Sequence, residues 1–286
     1  DENSEELTYC NFDEETTSKL ERYKVINCIN LSIESGKVIG LLGNTGSGKS
    51  SLVRTFNGLI PHFYNGIFYG VVKVVGKDTI NEKINDLSMD VGLVFQNPEN
   101  QLVSMTVERE IAFGLENRGL TREIIKQKVD EIIKLMDIEH LRKRHPYELS
   151  GGEQQRVAVA SILVLEPKVI VLDEPTSALD QKSASEIIQL LRILNRKMGI
   201  TLIIIEHRLD MIISFCDELI LLDKGRLLKH DSVKSILNDD TIYNMDIEIP
   251  YYIQCFYDLK QKKMYSGPIP TNIKDAAVLM KEYLEK

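Results

Sequence analysis

The sequence has few cysteines, no long apolar run and no excess of positive charge, and each shortage excludes a class of protein. Its four cysteines (Cys10, Cys28, Cys216 and Cys255) lack the spacing of metal ligands or of a disulfide framework, which suits a reducing cytosol. No apolar run approaches the roughly 18 residues that a membrane-spanning helix needs. The net charge of −8 argues against an extended nucleic-acid surface, so we expect no nucleic-acid partner.

The remaining composition is that of a soluble globular protein. Of the 286 residues, 43% are hydrophobic and 27% are charged, which leaves room for one large domain and an appendage. The acidic run from Asp1 to Glu6 has none of the features of a signal peptide. We therefore expect a protein that is not secreted.

Short apolar runs alternate with helical patterns, which indicates a parallel sheet covered by helices on both faces. Predicted strands cover residues 7–12, 25–33, 38–42, 71–75, 90–96, 169–172, 201–205 and 218–222. Predicted helices cover residues 51–59, ended by Pro61, then 106 to about 145, 186–196 and 276–284. Prolines and tyrosines become frequent from about residue 240, and we interpret 240–286 as a separate helical extension.

One glycine-rich run has the pattern of a phosphate-binding loop. It follows the predicted strand 38–42, precedes a helix at Ser51, and reads Gly43, Asn44, Thr45, Gly46, Ser47, Gly48, Lys49, Ser50. Glycines let successive backbone N–H groups point at one anion, and the helix start adds its partial positive charge. Lys49 supplies a full charge for the β- and γ-phosphates, and the Ser50 hydroxyl suits Mg²⁺. We expect all of these residues to surround the phosphates of a nucleotide.

Two carboxylates, Asp173 and Glu174, close the apolar run 169–172. Ligands of open α/β sheets gather at the carboxyl ends of the strands, where the phosphate loop also lies. Asp173 is placed to hold the Mg²⁺ that Ser50 touches, and Glu174 to polarise a water for attack on the γ-phosphate. The alternative for such a pair is an ordinary solvated turn.

A third motif, Leu149-Ser150-Gly151-Gly152-Glu153, precedes a helix and resembles the signature of the ATP-binding cassette family, Leu-Ser-Gly-Gly-Gln. Ser150 and the N–H groups at this helix start make a second anion site. Glu153 departs from the family's glutamine but leaves Ser150 and Gly152 intact. The resemblance implies that this site acts on the nucleotide of a partner subunit.

Further residues follow in the family's order. Gln96 resembles the family's sensor of Mg²⁺ and of the attacking water, residues 177–180 its D-loop, and His207 the switch histidine that contacts the γ-phosphate. An aromatic residue of the early strands stacks on adenine in this family. Phe12 is our choice, and Tyr9 and Tyr23 remain alternatives. A purely structural role remains open for Phe12.

Several stretches are similar to the ATPase subunits of energy-coupling factor transporters, which import vitamins, cobalt or nickel. They are the Q-loop region 91–102, residues 57–63, the phrase 206–209, and the tail 268–285. The resemblance covers nearly the whole chain and is strongest from 38 to 225.

The resemblance implies an α/β fold with the RecA-like core of P-loop NTPases, an antiparallel β-subdomain and a helical insertion at about 98–158. The cassette would span 1–239, and the helical extension 240–286 would contribute to dimerisation. ATP and Mg²⁺ would close two cassettes head to tail. The chain would lie at the cytoplasmic face of the membrane, driving an integral membrane transport subunit and a substrate-binding membrane protein.

Other classes of function fit less well. A cassette protein that acts on ribosomes would normally have two cassettes and a basic linker, and a DNA-repair cassette protein would need a long coiled coil between the loop and the signature. A nucleotide sensor without activity would not need Lys49, Asp173, Glu174 and His207 together. Another type of ABC transporter remains the nearest alternative.

Overall fold

The computed structural model describes residues 24–64 and 66–285. The described strands are β1 (Val38–Leu42), β2 (Lys73–Val74), β3 (Lys77–Asp78), β4 (Val91–Val94), β5 (Val169–Asp173), β6 (Thr201–Ile205), β7 (Glu218–Asp223) and β8 (Arg226–Ser232). Six of them form one sheet in the order β4-β5-β6-β1-β7-β8. The strands are parallel except β8, which pairs antiparallel with β7. The carboxyl ends of β1, β5 and β6 therefore meet at one edge of the sheet.

Helices cover both faces of this sheet. In the described residues they are α1 (Lys49–Phe56), α2 (Leu59–His62), α3 (Ile84–Leu87), α4 (Val107–Asn117), α5 (Arg122–Leu135), α6 (Gly151–Leu163), α7 (Gln181–Met198), α8 (Leu209–Ile212), α9 (Val233–Leu237), α10 (Asp240–Tyr243), α11 (Tyr251–Gln261) and α12 (Ile273–Leu284). Short 3₁₀ turns lie at Pro98–Asn100, Glu139–Leu141 and Pro146–Glu148. None of the helices in this part of the chain is both long and apolar enough to cross a membrane.

The side chains of the central strands alternate between two hydrophobic clusters, as successive strand residues point to opposite faces. Val38 and Leu42 of β1 belong to the larger cluster, which packs under α4 to α7. Ile39 and Leu41 belong to the smaller cluster, which packs against α1. All five residues of β1 are buried, because this strand lies in the middle of the sheet with helices on both sides. The predicted two-sided α/β architecture is confirmed.

Residues 25–33 do not form the strand that we predicted. Ile26, Ile29, Leu31 and Ile33 pack against the smaller cluster, which explains the strand-like pattern of the sequence. Burial alone does not make a strand, because a strand also needs a continuous ladder of backbone hydrogen bonds. The other early strand, predicted at 7–12, lies outside the described residues.

The predicted strand 71–75 is shorter than expected. Only Lys73–Val74 is extended, and it pairs antiparallel with Lys77–Asp78. Val75 and Gly76 between them have positive φ values of 54° and 80°, so they turn the chain into a hairpin. This hairpin is the described part of the antiparallel β-subdomain.

The helix predictions were right in type and inexact at their ends. The helix after the phosphate loop begins at Lys49 and stops at Phe56, and Pro61 lies inside the separate turn α2 instead of ending the helix. The long pattern from 106 to about 145 is two helices, α4 and α5, separated near Gly119, whose φ is 69°.

The extension is helical, as predicted, but it does not stand apart from the sheet. Ile242, Ile253 and Ile269 are buried in the larger hydrophobic cluster together with residues of β1 and β5. Within it, the rings of Tyr243 and Tyr257 stack with centroids 3.5 Å apart. The region after residue 239 therefore contributes to the same core as the central sheet.

Candidate functional site

The loop between β1 and α1 is shaped by close backbone approaches. A Cβ atom at Gly43 would lie 2.1 Å from the carbonyl oxygen of Leu222, so only glycine fits there. Gly48, immediately before α1, has a φ of 98°, a left-handed conformation that other residues avoid. These two glycines bend the chain sharply between the buried strand and the helix.

Lys49 lies under this loop with only 6% of its surface exposed. Its Nζ atom donates hydrogen bonds to the carbonyl oxygens of Gly43 at 2.7 Å and of Asn44 at 3.0 Å. Burial lowers the pKa of Lys49, and the negative charges of Glu174 and Asp173 oppose that shift. An anion in the loop would provide the ammonium group with a full counter-charge, which the two carbonyl groups do not.

The loop has the donors that a phosphate needs. In the described part of the chain, the backbone N–H groups of Gly48, Lys49 and Ser50 have no hydrogen-bond acceptor, as expected at a helix start. The buried Ser47 Oγ and Asn44 Oδ1 atoms also lack hydrogen-bond partners. A Cβ atom at Gly46 would meet no heavy atom of residues 24–64 or 66–285 within 4 Å, so these residues leave the mouth of the loop open. The unpaired N–H groups and the Ser47 hydroxyl around this open mouth fit a phosphate group, whereas Asn44 Oδ1 can only accept a hydrogen bond.

Ser50 and Asp173 meet beside this loop, one from α1 and the other from the end of β5. Burial raises the pKa of Asp173, and the hydrogen bond with the Ser50 hydroxyl opposes the shift. No group of three or more His, Cys, Asp or Glu side chains in the described residues could hold a metal by itself. This pair fits Mg²⁺, which takes one or two protein ligands and completes its shell with phosphate and water oxygens.

Glu174 is held from two sides. Nε2 of Gln96 donates to its Oε2 atom at 2.5 Å, and Nε2 of His207 lies 2.9 Å from its Oε1 atom. Glu174 itself has a positive φ of 48°, a left-handed conformation that is uncommon for a residue other than glycine. The predicted trio of Gln96, Glu174 and His207 is therefore assembled in one place. Among the described residues, Gln96 makes this hydrogen bond with Glu174 and none with Ser50 or Asp173, so its expected metal role stays a prediction.

Ser150 begins α6 with a reciprocal capping box. Its Oγ atom accepts a hydrogen bond from the backbone N–H of Glu153 at 3.4 Å, and Glu153 Oε2 accepts from the Ser150 N–H and hydroxyl groups, both at 2.8 Å. These bonds and the nearby His140 and Arg144 lower the pKa of Glu153. Glutamate in place of the signature's glutamine thus caps the helix.

Within the described residues, the signature segment (149–153) makes no hydrogen bond to the phosphate loop (43–50) of the same chain. Gly152 instead lies against Ser183 at the start of α7, where a Cβ atom would be 3.2 Å from that of Ser183. The structure therefore brings together the residues of the loop, Asp173 and the Glu174 trio, and leaves Ser150 and Gly152 outside that group.

Two site residues were missed by the sequence reasoning. Glu206, at the end of β6, is buried, and its Oε1 atom accepts hydrogen bonds from the Thr176 hydroxyl at 2.5 Å and from the Thr176 N–H at 3.2 Å. Burial raises the pKa of Glu206. The available signal was a carboxylate that directly follows the apolar run Leu202 to Ile205. Phe12, Tyr9 and Tyr23, the candidates for adenine stacking, lie outside the described residues.

Comparison with known families and sequences gives a consistent result. A family model described as "ABC transporter" matches residues 26–177. A Pyrococcus horikoshii protein, provisionally named an ABC transporter ATP-binding protein, is 40% identical over 90% of both chains. The energy-coupling factor transporter ATP-binding protein EcfA2 of Acetivibrio thermocellus is 36% identical over 92% of both chains.

Solved structures agree with this result. CbiO1 of Clostridium perfringens, described as part of the ABC transporter complex CbiONQ, is similar with a TM-score of 0.69 and 35% identity. The match covers 76% of this chain and 86% of that one. A dimeric ATP-binding cassette with bound ADP and Pi has a TM-score of 0.64 and 28% identity, covering 73% of this chain and 90% of that one.

Proposed function

The chain belongs to the ABC transporter family, whose ATPase cassettes bind and hydrolyse ATP, and from this premise we propose that it powers a membrane importer of the energy-coupling factor type. The observation that carries the finer assignment is the similarity to EcfA2, which covers 92% of both chains. The similarity to CbiO1 supports the same type. In this proposal the chain binds peripherally to the cytoplasmic face of the membrane.

We propose that the phosphate loop holds the triphosphate. Residues 43–51 surround the β- and γ-phosphates with N–H groups, and Lys49 releases its two carbonyl partners to bind them. Ser50 and Asp173 would hold Mg²⁺, with Gln96 joining once ATP is bound; the ion would neutralise the charge that develops on the phosphate oxygens. Phe12 remains our choice for adenine stacking.

Hydrolysis would use the trio around Glu174. The carboxylate orients a water and accepts its proton while the water oxygen bonds to the γ-phosphorus. The bond from that phosphorus to the bridging oxygen breaks, and ADP leaves with the electron pair. Gln96 and His207 hold the carboxylate before attack. In our proposal His207 then donates a hydrogen bond to the γ-phosphate.

A second cassette would complete the site. Ser150 and Gly152 do not reach the phosphate loop of their own chain, and the dimeric cassette with ADP and Pi shows that a related cassette pairs. In our proposal the Ser150 hydroxyl gives up its hydrogen bond to Glu153 and donates instead to the γ-phosphate bound by the partner. The cassette proper would be residues 1–239 with its insertion at about 98–158, and the extension 240–286 would add a contact between the two chains.

A membrane partner has a candidate docking place beside Gln96. A cavity of about 210 Å³ is lined mainly by apolar residues of β4 and its neighbours, among them Leu59, Leu93 and Phe95. Phe95 is half-exposed and directly precedes Gln96 in the chain. We propose that an integral membrane subunit binds here and receives the motion of the Gln96 segment. A substrate-binding membrane protein would complete the transporter.

Co-expression tests this proposal. The chain is produced with the membrane proteins encoded beside it, extracted in detergent and purified through a tag on the chain. We expect a complex that contains a second cassette, a transport subunit and a small substrate-binding membrane protein, and whose ATPase activity exceeds that of the chain alone. Co-purification with the membrane subunits of a different transporter class would instead favour the alternative, another type of ABC transporter.

A further inference from the structure

A buried carboxylate lies directly beside the proposed catalytic pair without belonging to it. Glu206 follows the last residue of β6 and precedes His207, and it is 3% exposed. Burying a carboxylate is costly unless hydrogen bonds satisfy it, so a residue placed here for packing alone would be apolar. The contacts of Glu206 show what it holds.

Glu206 joins two chain segments. Its Oε1 atom binds both the hydroxyl and the N–H group of Thr176, and the backbone N–H of His207 also donates to the carboxylate. Thr176 is fully buried and lies two residues after Glu174. The carboxylate therefore connects the segment that carries Glu174 with the segment that carries His207.

The same two segments meet once more nearby. The N–H group of Glu174 donates to the carbonyl oxygen of Ile205 at 3.0 Å. Between these two junctions Glu174 adopts its left-handed conformation, with a φ of 48°. Such a conformation persists only where the surroundings determine it closely. The Thr176–Glu206 junction fixes one side of this turn.

We propose that Glu206 is a positioning residue, which holds Thr176 so that Glu174 and His207 stay within hydrogen-bond distance of each other. This inference rests on the proposed catalytic roles of Glu174 and His207. A carboxylate suits the position because it only accepts hydrogen bonds, and all of the groups recorded against it are donors. The Nε2 group of a glutamine would add donors where acceptors are needed.

The test compares Glu206→Gln with Glu110→Gln as a matched control. Glu110 is also a buried glutamate, and its Oε2 atom accepts from the N–H groups of Val103 and Ser104 at 2.9 and 2.7 Å. Steady-state ATPase kinetics, ATP binding by calorimetry and thermal unfolding are measured on each full-length variant. We expect Glu206→Gln to lower kcat about 10- to 100-fold, with the ATP Kd unchanged within about 2-fold, because small misplacements of a reacting group reduce rates by such factors. Glu110→Gln should leave kcat within about 2-fold.

A second pair of variants keeps the test independent of folding at position 206. Thr176→Val removes the hydroxyl that Glu206 binds, whereas Thr176→Ser retains it. We expect the valine variant to lose kcat as Glu206→Gln does and the serine variant to keep it. The positioning role is wrong if Glu206→Gln has the same kcat as Glu110→Gln and Thr176→Val has the same kcat as Thr176→Ser.

A Glu174→Gln variant separates this inference from the proposed function. Wild-type hydrolysis by Glu174→Gln would overturn the catalytic assignment and this inference with it. An inactive Glu174→Gln beside a fully active Glu206→Gln would overturn only the positioning role. In the double variant, Glu206→Gln should cause no further loss of activity, because both substitutions act on one group.

Discussion

Nε2 of His207 lies 2.9 Å from Oε1 of Glu174, while the other carboxylate oxygen accepts the 2.5 Å hydrogen bond from Gln96. Both oxygens of the proposed base are therefore occupied in the isolated chain. An attacking water has to replace one of these two partners before it can reach the carboxylate. Closure around ATP would accomplish this, because His207 gains the γ-phosphate as an alternative acceptor.

The first prediction concerns Glu174→Gln. The amide keeps the size of the side chain, but it cannot accept the proton of the attacking water. Its NH₂ group would also replace a carboxylate oxygen that now contacts Nε2 of either Gln96 or His207. ATP hydrolysis should fall by about 100-fold or more, with ATP affinity retained. Phosphate release and calorimetry measure the two quantities. A turnover within a factor of a few of the wild-type value would show that Glu174 is not the base.

The second prediction concerns Lys49→Ala. This substitution removes a buried ammonium group that the loop carbonyls hold beneath the proposed phosphates. ATP binding should weaken by at least about 2 kcal/mol, the scale for removing one partner of a buried charge pair. Lys168→Ala is the control, because this lysine is mostly exposed and pairs with Asp90 away from the loop. Equal ATP affinities of the two variants would contradict the role of Lys49.

The third prediction concerns pairing of the cassettes. Glu174→Gln should dimerise with Mg-ATP, because a ligand that binds only the closed dimer stabilises it by mass action. Adding Gly152→Asp should abolish this dimer by placing a carboxylate against the partner's γ-phosphate. Gly152→Ala is the matched control, since its Cβ atom makes the same close contact with Ser183 without a charge.

Size-exclusion chromatography with light scattering measures the oligomeric state of each variant with and without Mg-ATP. An ATP-dependent dimer of the Gly152→Asp variant would contradict the trans site. A Glu174→Gln chain that stays monomeric alone should pair with the second cassette of the complex instead. If the Glu174→Gln chain forms an ATP-dependent dimer neither with a second copy of itself nor with the second cassette, the head-to-tail arrangement is wrong.

The fourth prediction concerns stability in acid. Asp239 caps α10 and pairs with Lys229, and the lysine holds the pKa of Asp239 at about 2 instead of its usual 3.8. Because the folded pKa is depressed, the contribution to stability is present above about pH 4 and is lost as the pH falls towards about 2. Asp239→Asn should lower the free energy of unfolding at neutral pH by about 1 kcal/mol or less, since the pair is partly solvated.

Urea unfolding between neutral pH and about pH 2 measures this contribution. The Asp239→Asn chain should lose less stability across this range than the wild type, and Lys229→Met should behave similarly because it removes the partner. Identical pH dependence in the wild type and both variants would contradict the assignment.

The fifth prediction concerns the extension. Ile253 of α11 is 0% exposed and belongs to the larger hydrophobic cluster, whereas Tyr251 on the same helix is 94% exposed. Ile253→Ala should reduce the free energy of unfolding by about 2–5 kcal/mol. Tyr251→Ala should change it by about 0.5 kcal/mol or less. Similar unfolding midpoints of the two variants in urea would show that the extension does not share the core.

Local patterns predicted most of the sheet and the phosphate loop. Strand β1 is wholly apolar because it is buried on both faces, and the glycines after it are required by backbone geometry within a few residues. The same reasoning failed for residues 25–33. Ile26 and Ile29 are apolar because they cover the smaller cluster. An apolar pattern predicts burial, but it does not predict whether the backbone of these residues forms hydrogen bonds with a neighbouring strand.

The Thr176–Glu206 junction could not be predicted for a different reason. These residues are 30 positions apart, and they meet only because β5 and β6 are neighbours in the sheet. β5 and β6 are consecutive in the chain, so their adjacency could be expected. Their register, which brings these two side chains together beyond the strand ends, depends on packing of the whole domain. The trio around Glu174 was predictable only because its members matched a family pattern.

The position of β1 in the sheet has a consequence for synthesis of the chain on the ribosome. Residues 38–41 pair with residues 202–205 on one side, and residues 39–42 pair with 218–221 on the other. At the usual rate of translation, about 8 to 30 seconds pass between synthesis of β1 and synthesis of the first of its neighbouring strands. Through that interval the nascent strand has to be shielded from aggregation by other means. The proposed ATP site also remains incomplete until the segments after β5 and β6, which carry Glu174 and His207, have been synthesised.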